Sequence, residues 1–191
     1  MNPIALHLER FQPLTNQDRA FVAQVAVRHE YPKHHLLMRA GEVCQHLYFV
    51  ADGLARNFYY KDGRDVTTWF GLNGMFLTDL DSLINRQPSR FSIETLEPSG
   101  VYSIHHEKLN GLFDKSHDLE RAGRLSTLDN FVILENRLFA LQFHTAQERY
   151  ASFLRMFPGL VNRVPLTHVA SYLGITLETL SRVRASLTHV K

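Results

Sequence analysis

The chain has 191 residues, 45% hydrophobic and 21% charged, with a formal net charge of +2. These globular values exclude disordered, collagen-like and low-complexity classes. The single cysteine, Cys44, excludes an intrachain disulfide, a cysteine zinc site and an iron–sulfur cluster.

The first element is helical. Leu14, Phe21, Val22 and Val25 fall at helical spacing, and Thr15-Asn16-Gln17-Asp18 supplies cap and first-turn chemistry. Tyr31-Pro32 is expected to end it, because the residue before a proline is pushed out of the α region. From Lys33 to Ile104 short apolar runs alternate with turn signals at Ala40-Gly41, Asp52-Gly53, Asp62-Gly63 and Asn73-Gly74. The runs 35–39, 47–50, 54–60, 66–70, 91–96 and 101–104 read as strands. Their spacing predicts an antiparallel barrel or jelly roll. Residues 77–85 read as a short helix or loop among the strands, and Asp62-Gly63-Arg64-Asp65 as a hairpin tip with no further role.

After His105 the chain turns helical. Lys108–Phe113 makes a short helix, and Asp118 to about Phe143 a long one. The long helix carries two apolar stripes: Leu125, Leu128, Val132 and Phe139, then Phe131, Leu134, Leu138 and Leu141. A helix lying on one core needs one stripe. The second predicts a partner helix, so dimerisation falls to Leu125, Leu128, Phe131, Val132, Leu134, Leu138 and Leu141. Thr145 caps a further helix, Ala146–Phe157, which Pro158-Gly159 stops.

Residues 164–187 read as helix, turn, helix. Leu166, Val169, Ala170 and Leu173 form an apolar face, and Gly174 stands where a left-handed residue is needed. Thr176 caps the second helix, whose inner face is Leu180, Val183 and Leu187. Such a pair sets its second helix in the DNA major groove. Arg182 and Glu178 suit base edges, and Thr167, Thr176, Thr179 and Ser181 complete the DNA-binding set. Glu178 and Arg182 stand four apart and are expected to support each other. Charge agrees. From Arg149 to Lys191 six cations face one acid, a formal +5, which leaves −3 for Met1–Glu148.

These segments resemble the Crp/Fnr family of bacterial transcription regulators, in particular a short-wing branch common in Bacteroidetes. Gly41-Glu42, Leu47-Tyr48-Phe49-Val50, Gly53 and Arg56 are similar to its early roll strands. The run Leu173 to Arg182 is similar to its recognition-helix signature. The resemblance implies an α+β fold: an antiparallel, cyclic-nucleotide-binding-like β-roll (1–117), a dimerisation helix (118–143) and a helix-turn-helix domain (144–191) without the family's wing. It also implies an effector pocket in the roll, placed here at Phe70, Gly74, Met75, Ser89 and Arg90.

Three departures from the family pattern limit what carries over. The Gly-Glu pair that binds ribose is here Gly74-Met75, and the Arg-Ser pair that binds the cyclic phosphate is Pro88-Ser89. Cyclic AMP is therefore not an expected ligand; Arg86 and Arg90 are the nearest substitute cations. One cysteine cannot hold the cluster of the anaerobic regulators. Leu177 stands where base-reading members often carry Arg.

The expected function is DNA-binding transcription regulation by a homodimer, with an unidentified effector. Expected partners are double-stranded DNA, a second copy and, for such a regulator, RNA polymerase. A cyclic-nucleotide signalling module acting through protein contacts and a cupin-like metalloenzyme are the alternatives. Neither catalytic nor metal residues are expected: the pairs His34-His35 and His105-His106 should diverge on a strand. The N-terminus lacks a signal-peptide pattern, and no apolar run approaches the ~20 residues of a membrane helix. The expected setting is cytoplasmic.

Overall fold

Thr15 opens a helix because its hydroxyl accepts from Asp18 N at 3.1 Å while Asp18 Oδ2 accepts from Thr15 N at 2.9 Å. That reciprocal box satisfies donors that a helix start leaves orphaned. The computed structural model describes residues 1–188, and the side chains of Leu187 and Thr188 lie outside that description. Two helices, α1 (Pro3–Leu8) and α2 (Asn16–Val25), precede the strands. The helix expected to reach Tyr31 stops at Val25. Val27–Tyr31 is strand β1, fully paired with β8 (Ser99–His105) from Val27↔Ser103 to Tyr31↔Ser99. Long-range pairing decides that segment, and no proline signal reports it.

The roll is two four-stranded antiparallel sheets. Its other strands are β2 (Leu36–Met38), β3 (His46–Asp52), β4 (Leu54–Lys61), β5 (Arg64–Leu72), β6 (Met75–Leu77) and β7 (Ser92–Thr95). One sheet has the order β1-β8-β3-β6 and the other β2-β7-β4-β5. The antiparallel roll expected from turn spacing is thus present, with β1 and β6 added. A short helix, α3 (Leu80–Asn85), interrupts the strands within the expected break at 77–85. The helices α4 (His106–Lys115) and α5 (His117–Phe143) follow.

Alternation along β3 divides the core. Phe49 and Ile104 pack outward with Ile4, Leu8, Val22, Leu112 and Leu119 of the helices. Tyr48 and Val50 turn the other way, and the Tyr48 hydroxyl donates to Leu37 O on the second sheet at 2.7 Å. Arg56 on β4 is buried and reaches Glu94 on β7 at 2.6–2.7 Å. At the β3–β4 turn, Gly53 has φ +97, and an added Cβ would lie 2.7 Å from Ser99 Cα. Backbone conformation and space both require glycine there.

The chain divides into two compact units. One comprises Met1–Asn57 and Phe70–Asn130; the other comprises Phe58–Trp69 and the chain from Phe131 onward. In the first unit the buried residues of α5 are Leu119, Ala122 and Ser126, and Leu125 is half-buried. The α5 residues that face the core are therefore small or early in the helix, and neither expected stripe supplies them.

His7 adds a pH dependence. Its ring centroid lies 5.6, 5.8 and 5.1 Å from those of Phe11, Phe49 and Phe76, and Nε2 is 3.1 Å from Ser126 Oγ. Burial, reinforced by Arg10, holds the imidazole below its ordinary 6.5 against opposing contributions from Gly74 and Asp129. His46 is lowered in the same direction by burial and by its histidine neighbours. The unfolded chain then binds protons that the fold refuses. Stability is full above pH 6.5 and declines as pH falls below that value. The urea midpoint should drop between about pH 7.5 and about pH 5.5, and His7→Leu should make the drop shallower. An unchanged pH slope in the variant would contradict this assignment.

Candidate nucleic-acid interface

Helix α6 (Ala146–Met156) starts at a second capping box, in which Glu148 N donates to Thr145 Oγ1 at 3.2 Å and Thr145 N to Glu148 Oε2 at 2.8 Å. Gly159, at φ +75, turns the chain into a 3-10 turn over Leu160–Asn162. Helix α7 (Leu166–Leu173) follows from Pro165, which cannot donate where no helical acceptor exists. It ends at Gly174, φ +66 and ψ +37, with Ile175 N donating back to Ala170 O at 3.0 Å. This left-handed stop satisfies the last carbonyls and swings the chain into α8 (Leu177–Thr188). Thr176 Oγ1 accepts from Thr179 N at 3.2 Å, the cap expected of it.

Val169, Ala170, Leu173 and Leu180 are buried where α6, α7 and α8 pack together. Val183 is half-buried, and Leu187 lies outside the described side chains. Opposite them, Thr167, Thr176, Glu178, Ser181 and Arg182 are exposed and Thr179 half-exposed. The structure thus gathers the α8 candidates on one outer face, with Thr167 at the start of α7. One pairing differs from expectation. Arg182 Nη2 donates to Thr179 Oγ1 at 3.2 Å, with no direct ion pair to Glu178 among the described residues. Glu178 is held below the usual carboxylate range first by its own backbone N–H, then by Thr176, with Arg182 a lesser contributor. The donors at a helix start compete with a side chain one turn away.

The β4–β5 hairpin does more than form the tip expected of it. Asp62 and Gly63 do form a tight tip, at φ +52 and +74. The strands beside it dock on α7: Thr67 N donates to Ser171 Oγ at 3.1 Å. The Trp69 ring lies 6.2 Å from that of Phe157 and 6.3 Å from that of Tyr172. The signal available was the sole tryptophan, on a strand expected to be only a roll strand.

On α5 the exposed side chains include Leu128, Phe131, Val132, Leu134, Leu138, Phe139, Leu141 and Phe143. Six of the seven residues expected to dimerise are among them, with Leu125 half-buried.

The expected effector residues differ in burial, and two of them are engaged by neighbouring side chains. Phe70 is wholly buried, and Gly74 turns at φ +83 into half-buried Met75. Ser89 is buried with its Oγ 2.7 Å from Asp79 Oδ2 and 2.9 Å from Phe91 O. Arg90 is exposed and pairs with Asp81 at 3.4 Å. Arg86 spends its guanidinium on Cys44 O at 2.7 Å, Leu83 O at 3.2 Å and Gln45 Oε1 at 2.6 Å. A carboxyl, not a cation, meets the serine.

The histidines also depart from expectation. His105 and His106 have ring centroids 4.5 Å apart, because the strand ends between them and alternation no longer applies. His46 lies across the ladder from His105, 5.3 Å between rings. Among the described residues no group of three or more His, Cys, Asp or Glu could hold a metal ion, and no helix is long and apolar enough to cross a membrane.

Comparison with known proteins agrees with this architecture. Residues 28–116 match the cyclic nucleotide-binding domain. The anaerobic regulatory protein of Pasteurella multocida is 27% identical over 167 residues, 81% of this chain. The match covers 60% of that protein. FixK2 of Bradyrhizobium japonicum shares the fold with a TM-score of 0.74 and 24% identity, covering 86% of this chain and 85% of its own. The c-di-GMP responsive global regulator CLP of Xanthomonas campestris does so with a TM-score of 0.71 and 19% identity, covering 92% of each chain.

Proposed function

We propose that this chain is a Crp/Fnr-like regulator, a reading its matched roll, its fold and its relatives support, and that it acts as a homodimer that binds double-stranded DNA through α8. The observation that carries the reading is the helix pair. Gly174 sets the corner, Val169, Ala170, Leu173 and Leu180 hold it, and a polar row from Thr176 to Arg182 is left outward. In the groove, Arg182 and Glu178 read bases, while Thr167, Thr176, Thr179 and Ser181 fix the phosphates. Arg182 is tethered by one hydrogen bond to the neutral Thr179 hydroxyl, so its remaining donors are available to guanine.

Dimerisation is supported by the apolar face of α5. Exposure of eight large apolar side chains over one helical segment exceeds what a monomer's surface normally carries. Each is already about half buried, so covering the remainder would contribute about half of the ~1.5–3 kcal/mol of full burial. Such a sum offsets an association cost of ~4–15 kcal/mol. Two copies joined along this helix would present two α8 helices to successive major grooves. In this reading residues 1–117 are the sensor, 118–143 the dimer helix and 144–191 the DNA-binding region, and RNA polymerase is a further partner.

The roll's effector is not a cyclic nucleotide. Asp79 occupies the hydroxyl of Ser89, and Arg86 and Arg90 are engaged elsewhere. A phosphate there would be buried against a carboxyl without a compensating cation, which is strongly unfavourable. The signal the roll senses is then of another kind, acting around Phe70, Gly74, Met75, Ser89 and Arg90.

Three measurements test the reading. In competition binding, Arg182→Ala should weaken the cognate operator by about 1–3 kcal/mol and random duplex much less; an unchanged specificity ratio would remove α8 from the groove. Sedimentation of the double variant Leu134→Lys, Leu138→Lys should give folded monomers, and a folded dimer would move the interface elsewhere. Calorimetric titration with cyclic AMP should give no binding heat at micromolar concentrations, and a micromolar isotherm would restore the cyclic-nucleotide reading.

A further inference from the structure

We propose that a cavity walled by α5, α6 and α7 is a binding site for a small carboxylate with an apolar body. The cavity measures about 340 Å³. At about 30 Å³ per water-sized group it holds roughly ten non-hydrogen atoms. Phe153, Met156 and Tyr172 form much of its apolar wall, and Arg137, His144 and Arg149 supply its polar edge. No Asp or Glu lines it, so the two guanidiniums give it a formal positive charge.

Both arginines are fixed in place before any ligand arrives. Arg137 Nη2 donates to Tyr172 O at 3.1 Å, and its guanidinium stacks 4.3 Å from the Tyr172 ring centre. Arg149 Nη1 donates to Leu141 O at 3.1 Å, in the last turn of α5. Neither forms an ion pair with a carboxylate among the described residues. The nearby acid, Glu148, is committed to the Thr145 cap and to the field of His144. Arg137 Nε, Arg149 Nε and His144 Nδ1 are buried with no hydrogen-bond partner.

Buried donors without acceptors are unfavourable and rare in folded proteins. Here two guanidinium N–H donors and an imidazole nitrogen surround one apolar cavity. A carboxylate supplies the missing acceptors, matches the planar fork of arginine and neutralises the paired charge. The apolar wall then selects for the remainder of the molecule. Ligand sites combine mostly apolar walls with few convergent polar groups, and this cavity is at the small end of their size range. The inner wall, Tyr172 and Leu173, belongs to α7, so the ligand would sit directly behind the helix pair. The proposal goes beyond the DNA-binding reading and does not rest on it, because binding is read without DNA.

The test is calorimetric titration of the full chain with octanoate, 1-octanol and acetate. Octanoate should bind at least tenfold more tightly than 1-octanol, its neutral counterpart, and acetate should not bind detectably. Arg137→Gln and Arg149→Gln should each weaken octanoate at least tenfold and leave 1-octanol unchanged. Ser152→Leu, which fills the cavity, should weaken both long ligands. Equal affinity for octanoate and 1-octanol, or no binding of octanoate, overturns the proposal from the unaltered chain alone. Octanoate affinity unchanged in both folded Gln variants overturns it as well.

Discussion

The structure turns on a helix whose later turns stand open with large apolar side chains. At 27 residues α5 is about 40 Å long, and only its first turns meet a core that covers it. Leu119, Ala122 and Ser126 face the roll's helices, whereas from Leu128 to Phe143 large apolar side chains stand open. The capping box at Thr145 starts the next helix just after that open face ends.

A second constraint acts inside the C-terminal unit. Trp69 beside Phe157 and Tyr172, and Thr67 bonded to Ser171, make the β4–β5 hairpin part of the support for α7. The strands of that hairpin also belong to the roll's second sheet.

Within the roll, residues 28–116 of which match the cyclic nucleotide-binding domain, several polar groups bond to one another. Asp79 caps α3 and holds Ser89, and Arg86 staples carbonyls of the preceding segment. Arg56 and Glu94 join neighbouring strands in a buried pair. Each of these groups satisfies another, which stabilises the segment around α3 and leaves little charge for a ligand. The cavity behind α7 presents the opposite balance, with guanidiniums anchored and donors unspent.

Local chemistry alone determined much of this molecule. Period-two runs between Asp-Gly and Asn-Gly turns specified the roll, because a tight turn needs positive φ and a half-buried strand must alternate. Thr145, Gly174 and Thr176 marked the ends of helices, because orphaned backbone groups demand those residues. The polar row on α8 was legible for the same reason, since apolar Leu180 fixes which face turns inward. Tertiary structure alone decided where distant segments meet. Val27–Tyr31 became a strand only because β8 lay beside it. Trp69 acquired a partner only when α7 was folded against it. Arg182 chose Thr179 over Glu178, and Asp79 claimed Ser89, through distances that no spacing in the sequence encodes. Periodicity reports which face of an element is apolar; only packing reports what that face touches.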